Sequence, residues 1–117
     1  MNTFICYDKC GTCRKAKKWM DEHNLAYETR PIKEANPTEA ELREWIPKSG
    51  LPAKKFFNTS GQLYRSLGLK DKLKAMSEDE MIALLAGDGM LVKRPILLHK
   101  DGVLVGFKEA DWEQKLL

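Results

Sequence analysis

The chain has 117 residues, the size of one domain at roughly 100 to 200 residues per domain, so two packed domains are excluded. Hydrophobic residues make up 43% of it, which is enough for a core without metal or disulfide bonds. The net charge of +3, from 20 Lys and Arg against 17 Asp and Glu, is small for a dedicated nucleic-acid binder, and we expect no direct sequence-specific contact with nucleic acid.

The three cysteines, at positions 6, 10 and 13, lie close together, unlike a secreted disulfide framework, whose cysteines are spread along the chain. No basic segment leads into a long apolar run at the start, and 18 apolar residues never follow one another. We therefore expect a cytoplasmic protein, monomeric and without contact with a membrane. Its thiols should stay reduced unless they perform redox chemistry.

The first part of the chain has the pattern of a βαβ unit. Residues 3 to 7 are β-branched, aromatic and small apolar residues, which predicts a buried strand. Residues 11 to 23 predict a helix, because apolar side chains recur there at steps of three and four. Residues 26 to 30, before Pro31, predict a second strand parallel to the first, since the two are joined through a helix.

The middle of the chain, from about residue 36 to residue 89, contains helix starts and no strand signal, and we predict an all-helical insertion there. Two segments fit the capping box, in which a hydroxyl accepts a first-turn N–H and a carboxylate three residues on reaches back. These segments are Thr38 to Glu41 and Ser77 to Glu80. A third, weaker start at Thr59 predicts a short helix that ends before Gly68.

After residue 89 the pattern changes to that of strands. Residues 95 to 99 and 103 to 106 are apolar runs that flank residues 100 to 102, and an Asp-Gly pair between such runs is a strong hairpin signal. Residues 108 to 117 predict a final helix with one apolar face. The predicted order is β-α-β, helical insertion, β-β-α.

A Cys-x-x-Cys motif lies directly between the first predicted strand and the first predicted helix. Cys10 falls at the helix N-terminus, where free N–H groups and the positive end of the helix dipole stabilise a thiolate. Basic neighbours add positive charge, so we expect the pKa of Cys10 to lie below that of a free thiol. Cys13, one turn further on, is placed to attack an adduct at Cys10 and form a disulfide.

Two other interpretations of this pair stay open. A Cys-x-x-Cys pair can be half of a zinc site, but only Cys6, His23 and His99 remain as further ligands and none has a recognisable spacing, so we expect no metal. The two thiols can also be inert core residues, since free cysteine is often buried. Cys6 lies within an apolar strand and is expected to be a small core residue.

Arg94 and Pro95 open the third predicted strand. Proline is compatible with the first position of a strand, where no ladder N–H is needed, so the pair can be a strand start and nothing more. In the alternative interpretation the Arg94–Pro95 bond is cis and holds the backbone against the Cys10 loop. Arg94 is then placed to stabilise a thiolate or to bind an oxyanion.

Several spaced motifs together carry a family resemblance. They are Cys10-Gly11-Thr12-Cys13-Arg14-Lys15-Ala16 near the start, the helical insertion, and Lys93-Arg94-Pro95-Ile96 before the hairpin. Through these residues the whole chain resembles the arsenate reductase (ArsC) and Spx family of thioredoxin-like proteins. It is most similar to a subgroup with a Cys-x-x-Cys motif that also carries residues 54 to 61 and 88 to 91 of this sequence.

The resemblance implies an α/β, thioredoxin-like fold for residues 1 to 117, with a mixed four-stranded sheet and Pro95 in the cis form. It implies a nucleophile at Cys10, although arsenate reductases of the family lack the second cysteine that this chain has as Cys13. We expect a thiol-disulfide oxidoreductase in which Cys10 is the nucleophile, Cys13 the resolving thiol and Arg94 the group that stabilises the thiolate or a bound anion. The residues expected to support this site are Gly11, Thr12 and Pro95. Electrons would come from glutathione, glutaredoxin or thioredoxin, and no bound cofactor is required.

Arsenate reductases of this family hold the oxyanion with three arginines. Arg94 matches the second arginine, but the first falls on Asn58 and the third at about Phe107, with Lys108 beside it. A lysine offers a point charge and an asparagine a neutral amide, so two bidentate donors are missing. We therefore do not expect arsenate to be held here as it is in those enzymes.

The alternative function within the family is a redox-sensing transcriptional regulator. In Spx-type regulators the Cys-x-x-Cys pair resembles a redox switch, and the protein binds the C-terminal domain of the RNA polymerase α subunit. Gly50 lies near the glycine used at that contact. Residues 53 to 74 carry six basic residues against Asp71 alone, a net +5 that is either a solvated helical face or a contact surface. An interaction module with silent cysteines is the third interpretation.

Overall fold

A computed structural model describes residues 2–117. The strands are β1 (Asn2–Cys6), β2 (Tyr27–Pro31), β3 (Ile96–His99) and β4 (Gly102–Val105). The helices are α1 (Gly11–Glu22), α2 (Glu39–Ser49), α3 (Gln62–Ser66), α4 (Leu69–Lys72), α5 (Glu78–Gly87) and α6 (Glu109–Leu116). Short 3₁₀ helices lie at Ala53–Phe56, Leu73–Ala75 and Gly89–Leu91. None of the helices in this described chain is long and apolar enough to cross a membrane.

The strands of residues 2–117 form one mixed sheet in the order β2-β1-β3-β4. β1 pairs parallel with β2, as the βαβ pattern predicted, and antiparallel with β3. β3 and β4 form the predicted hairpin, in which His99 pairs with Gly102 and the turn consists of residues 100 and 101. This sheet with its helices is the thioredoxin-like α/β arrangement that the sequence resemblance implied.

Side chains on the two faces of the sheet enter different cores, because neighbouring strand residues point to opposite sides. Phe4 and Leu97 pack with buried residues of α1 and α6. Ile5 and Ile96 pack with the helical segment, whose buried residues here include Leu42, Trp45, Ile46, Phe56, Phe57, Leu69, Ile82 and Leu85. The helical insertion therefore supplies the layer that covers one face of the sheet.

Both predicted capping boxes are present. Thr38 Oγ1 accepts the Glu41 N–H at 3.1 Å and the Glu41 carboxylate accepts the Thr38 N–H at 3.0 Å. Ser77 and Glu80 exchange the same two hydrogen bonds at 3.2 and 3.1 Å. Glu41 also binds the Arg30 guanidinium through both oxygens, at 2.7 and 2.8 Å, and these bonds lower the pKa of Glu41 to about 2. The first turn of α2 is thus tied to β2.

The prediction that Thr59 begins and caps the third helix is wrong. Helix α3 begins at Gln62 directly after Gly61, and no side chain within residues 2–117 caps it, so the Thr59 hydroxyl does not have the role that the spacing predicted. The end of that helix is as predicted, because Gly68 follows its last turn with φ at +65°.

Gly89 lies where the helical segment returns to the sheet. A Cβ atom built on it would overlap the carbonyl oxygen of Ile32 and lie 2.8 Å from the carbonyl carbon. Close by, Asn36 Nδ2 donates to the Ala86 carbonyl at 2.6 Å, which joins the end of α5 to the chain after β2. The backbones approach so closely that only glycine fits at position 89.

The variant Gly89→Ala should lower the free energy of unfolding by about 2 kcal/mol or more, because the backbone at Ile32 must move to admit a methyl group. Gly87→Ala is the matched control, since a Cβ there would meet no heavy atom of residues 2–117 within 4 Å. It should leave stability unchanged or raise it by up to about 1 kcal/mol. Urea denaturation measures both, and equal stability of the two variants would contradict the close approach.

Candidate active site

Cys10 sits at the start of α1, in the turn that follows β1. Its N–H donates to the Tyr7 carbonyl at 3.0 Å, and its own carbonyl accepts the Arg14 N–H at 3.1 Å. The backbone of Cys10 is extended, with φ −95° and ψ 122°, and Gly11 is the first helical residue. The half-buried Cys10 side chain therefore lies beside the N–H groups of the first turn, where the sequence predicted it.

The surroundings of Cys10 stabilise a thiolate. Its partial burial raises the pKa, but hydrogen bonds from the Cys13 N–H, the Arg94 guanidinium and the Cys13 thiol outweigh burial, together with the Arg94 charge. The pKa of Cys10 consequently lies below the usual value of a thiol. Hydrogen bonds to the charged form are the main reason.

Cys13 lies one turn further along α1 in a different environment. Its side chain is 3% exposed, and Sγ accepts the Tyr7 N–H at 3.4 Å. Burial raises the pKa of Cys13 to about 12, and the neighbouring Cys10 sulfur adds to the increase while the Tyr7 N–H opposes it. Cys13 is therefore the harder of the two thiols to ionise, and Cys10 is the one that loses its proton more readily.

Arg94 reaches Cys10 from the segment before β3. Its guanidinium carbon lies 5.0 Å from the centre of the Tyr7 ring, and Nη1 lies 3.9 Å from Met90 Sδ. Its Nε is buried without a hydrogen-bond partner among residues 2–117. The Arg94–Pro95 bond is cis, as the resemblance implied. The Tyr7 ring supports one side of the guanidinium, and N–H donors remain for Cys10 and for a bound group.

Cys10 opens onto a cleft of about 520 Å³. The cleft lies between the start of α1, the loop before α3 and the segments on either side of the hairpin. Its lining residues are Cys10, Thr12, residues 58 to 62, Lys93, Arg94, Val105, Gly106, Phe107 and Lys108. Three of these side chains are basic, and none of the lining residues in the described chain is acidic. The cleft therefore favours negatively charged groups.

The loop before α3 is held in place by its backbone. The Asn58 N–H donates to the Leu91 carbonyl at 2.7 Å, and the Gly61 N–H donates to the Asn58 carbonyl at 3.1 Å. A Cβ on Gly61 would lie 2.8 Å from Asn58 Nδ2, so glycine leaves room for the amide. These contacts present the Asn58 side chain to the cleft beside Arg94.

The structure brings together the three positions that the sequence resemblance aligned with anion-binding arginines. Asn58, Arg94 and Phe107 all line the cleft, and Lys108 lies beside them. Among the described residues, Arg94 is thus the one arginine that lines the cleft. The cleft can hold an anion through one bidentate guanidinium and two lysine charges, which is a weaker arrangement for a doubly charged oxyanion than three arginines.

Other residues that the sequence analysis singled out lie away from the cleft lining. Gly50 ends α2 with φ at +73° and is exposed. The basic side chains of residues 53 to 74 are all exposed. Cys6 is only half-buried at the edge of the core that contains Phe4, so the expectation of a core residue is correct only in part. Within residues 2–117 no group of three or more potential ligands could hold a metal ion.

Gly11 and Thr12 form the exposed first turn of α1. A Cβ on Gly11 would meet no heavy atom of the described chain within 4 Å, so glycine is not required there by internal packing. Thr12 lines the cleft directly.

The sequence pattern placed Tyr7 at the end of the first predicted strand and gave no indication of its role at the site. Its N–H binds the Cys13 sulfur, its carbonyl accepts the Cys10 N–H, and its ring supports Arg94. The available signal was its position three residues before Cys10, which is the spacing of a turn closed by a backbone hydrogen bond.

Comparison with known proteins gives a consistent result. The family model described as "ArsC family" matches residues 6–115. The chain is 55% identical over 112 residues to "Uncharacterized protein YusI" of Bacillus subtilis, which covers 96% of this chain and 95% of that protein. It is 26% identical over 102 residues to "Global transcriptional regulator Spx 2" of Bacillus cereus, covering 87% and 76% of the two chains.

The fold is also found in solved structures. A crystal structure of an ArsC family related protein from Bacteroides fragilis superposes with a TM-score of 0.95 at 55% sequence identity. The match covers 97% of this chain and 95% of that one. The thioredoxin-like arrangement, including the helical layer, is therefore shared over nearly the whole length.

The contribution of Arg94 to the acidity of Cys10 can be measured directly. Arg94→Met removes the guanidinium but keeps an unbranched side chain at this position. It should raise the pKa of Cys10, because a hydrogen bond and a positive charge are lost. Alkylation of Cys10 near neutral pH should become several-fold slower. Lys93→Met, which removes a neighbouring charge of the same cleft, is the control and should have a smaller effect. Equal effects of both variants would refute a specific role of Arg94.

Proposed function

Because this chain belongs to the ArsC family, we propose that it is a thiol-disulfide oxidoreductase with Cys10 as nucleophile and Cys13 as resolving thiol. The observation that carries the proposal is the contrast between the two thiols. Cys10 faces the cleft with a lowered pKa, whereas Cys13 is buried with a pKa raised to about 12. Cys10 is thus the thiol that ionises more readily and can attack a substrate, whereas Cys13 is buried and reacts only after Cys10 has done so.

In the first step the Cys10 thiolate attacks one sulfur of a substrate disulfide. A bond forms between that sulfur and Cys10 Sγ, the substrate S–S bond breaks, and the other substrate sulfur leaves as a thiolate that takes up a proton from solvent. Arg94 stabilises the Cys10 thiolate before attack. Lys93 and Lys108 line the same cleft and favour the departing negative charge.

In the second step Cys13 resolves the mixed disulfide. The Cys10 sulfur now carries no charge, so its contribution to the high pKa of Cys13 disappears while the N–H of Tyr7 still stabilises the thiolate. Cys13 loses its proton and attacks Cys10 Sγ, and the remaining substrate sulfur leaves as a thiolate. The substrate has gained two electrons, which came from the Cys10–Cys13 pair.

The oxidised pair is then reduced by an external thiol. Two glutathione molecules, or the dithiol of a glutaredoxin or thioredoxin, attack the Cys10–Cys13 disulfide and are themselves oxidised, which restores both thiols. Cys10 is the sulfur that the reductant reaches, because Cys13 is buried beneath it. No bound cofactor takes part in this cycle.

The stoichiometry of a single turnover tests this proposal. Without added reductant, the wild-type protein should release both halves of a chromophoric disulfide as thiols. Cys13→Ser should release only one half and retain the other as a mixed disulfide visible by mass spectrometry, and Cys10→Ser should release neither. Cys6→Ser is the matched control and should behave as wild type. Release of both halves by Cys13→Ser would disprove the resolving role.

A second candidate function is supported by the similarity to a transcriptional regulator over 87% of this chain. In this alternative the Cys10–Cys13 pair senses oxidants and the oxidised protein binds the C-terminal domain of the RNA polymerase α subunit. The exposed Gly50 at the end of α2 would lie at that contact. Oxidation would alter the start of α1, which both cysteines share.

A binding experiment separates the two candidates. If the protein is a regulator, its oxidised form should retain the purified α subunit on a column far better than its reduced form, and it should show no disulfide turnover. Gly50→Arg should abolish retention. Gly68→Arg is the control, since Gly68 is also exposed with positive φ and has open space around its Cα. Retention that is indifferent to oxidation and to both variants would count against the regulator.

A further inference from the structure

The Cys10 cleft continues into a long groove across the helical layer. Its first section, around Cys10, shares Asn58, Gly61, Gln62 and Arg94 with a second section of about 390 Å³. That section in turn shares Leu63 and Asp88 with a third section of about 620 Å³ beside α3 and α5. The three sections therefore form one continuous surface that begins at the reactive thiol.

The two ends of this groove differ in chemistry. The end at Cys10 carries Lys93, Arg94 and Lys108, with no carboxylate among its lining residues in the described chain. The far end is mainly apolar, with Leu63, Leu67, Met76, Ala83, Leu84 and Leu91, and it also carries two carboxylates, Glu80 and Asp88. A small dianion would use only the first end. An elongated ligand with a negative group near its reactive sulfur and an apolar group further away matches both ends.

The far end is not simply part of the core. Leu67 is 37% exposed, which makes it one of the large hydrophobic side chains that the fold leaves open to solvent. Ala83 of α5 is exposed beside it. Apolar side chains exposed together along a groove are typical of a binding surface. Because this surface is continuous with the Cys10 cleft, it is expected to bind part of the same substrate that Cys10 attacks.

We infer that the disulfide attacked by Cys10 belongs to a polypeptide segment bound extended along this groove. The segment carries an acidic residue next to its cysteine and an apolar side chain that enters the far section. This inference rests on the proposed oxidoreductase function and specifies its substrate class. The Cys10 thiolate bonds to the segment's cysteine sulfur, the partner sulfur leaves, and Cys13 then releases the segment as a free thiol.

The spacing within the segment follows from the length of α3. Gln62 borders the Cys10 end and Leu67 borders the far end. Five helical steps at about 1.5 Å each cover roughly 7.5 Å, or about two to three residues of an extended peptide at about 3.3 Å each. Because Cys10 lies beyond Gln62 along the groove, the apolar side chain should lie more than about two to three residues from the cysteine, and the test peptides place it on the C-terminal side.

The experiment uses short peptides whose single cysteine is joined to nitrothiobenzoate. One peptide has aspartate beside the cysteine and leucine about four residues further on. The second replaces leucine with serine, and the third replaces aspartate with lysine. Release of the chromophore measures the rate constant for attack by Cys10. The wild-type protein should react with the leucine peptide about tenfold faster than with the serine peptide, because a leucine side chain becomes partly buried.

Variants of the groove make the test specific. Leu67→Ser should abolish the preference for leucine, because it removes the exposed apolar side chain of the far section. Ala83→Glu should also abolish it, because it adds a third carboxylate beside Glu80 and Asp88. Leu51→Ser is the matched control, since Leu51 is 38% exposed but lies outside the groove lining in the described chain. It should leave the preference intact. The lysine peptide should react more slowly than the aspartate peptide, and salt should reduce that difference.

Two reference measurements separate this inference from the proposed function. A small mixed disulfide of mercaptoethanol and nitrothiobenzoate reports Cys10 chemistry alone and should react equally with all groove variants. If it is not attacked, the proposed function fails. Fluorescence anisotropy of a labelled peptide with serine in place of cysteine reports the groove without chemistry, and Leu67→Ser should weaken its binding. Equal rates with leucine and serine peptides, or faster reaction with glutathione disulfide that ignores Leu67→Ser, would overturn the inference.

Discussion

A short antiparallel bridge between Phe57 and Val92 positions the candidate site. The Asn58 N–H donates to the Leu91 carbonyl and the Lys93 N–H donates to the Phe56 carbonyl, each at 2.7 Å. Phe57 and Val92 are both buried, so water does not compete for these bonds. Asn58 follows the bridge on one side and Arg94 on the other. The bridge thus joins the loop before α3 to the segment that leads into β3, and both segments line the Cys10 cleft.

The helical layer serves both the fold and the site. Its inner side chains cover one face of the sheet, and its outer edge forms the wall of the cleft and the apolar groove. On the other face, α1 begins directly after Cys10 and packs through Cys13, Ala16, Trp19 and Met20. One helix start therefore provides two sulfur environments, because the N-terminal residue stays at the surface and the residue one turn later faces the core.

Local patterns explain which predictions were correct. The capping boxes at Thr38 and Ser77 involve residues only three positions apart, so the sequence contains the whole interaction. The Thr59 cap was wrong because the loop geometry there is determined by the distant bridge and by the close contact of Gly61 with Asn58. Cys6 was expected in the core because of its apolar neighbours, but it is the last residue of β1 and lies at the edge of the packed region.

The sequence by itself determined the order of elements, the position of Cys10 at a helix start and the spacing that places Cys13 one turn later. Those features depend on periodicity and on neighbours within a few residues. Only the tertiary structure decided that Tyr7 supports Arg94, that Asn58 and Phe107 share one cleft, and that the cleft continues into an apolar groove. Each of these contacts joins segments that packing alone brings together, so no local pattern records them.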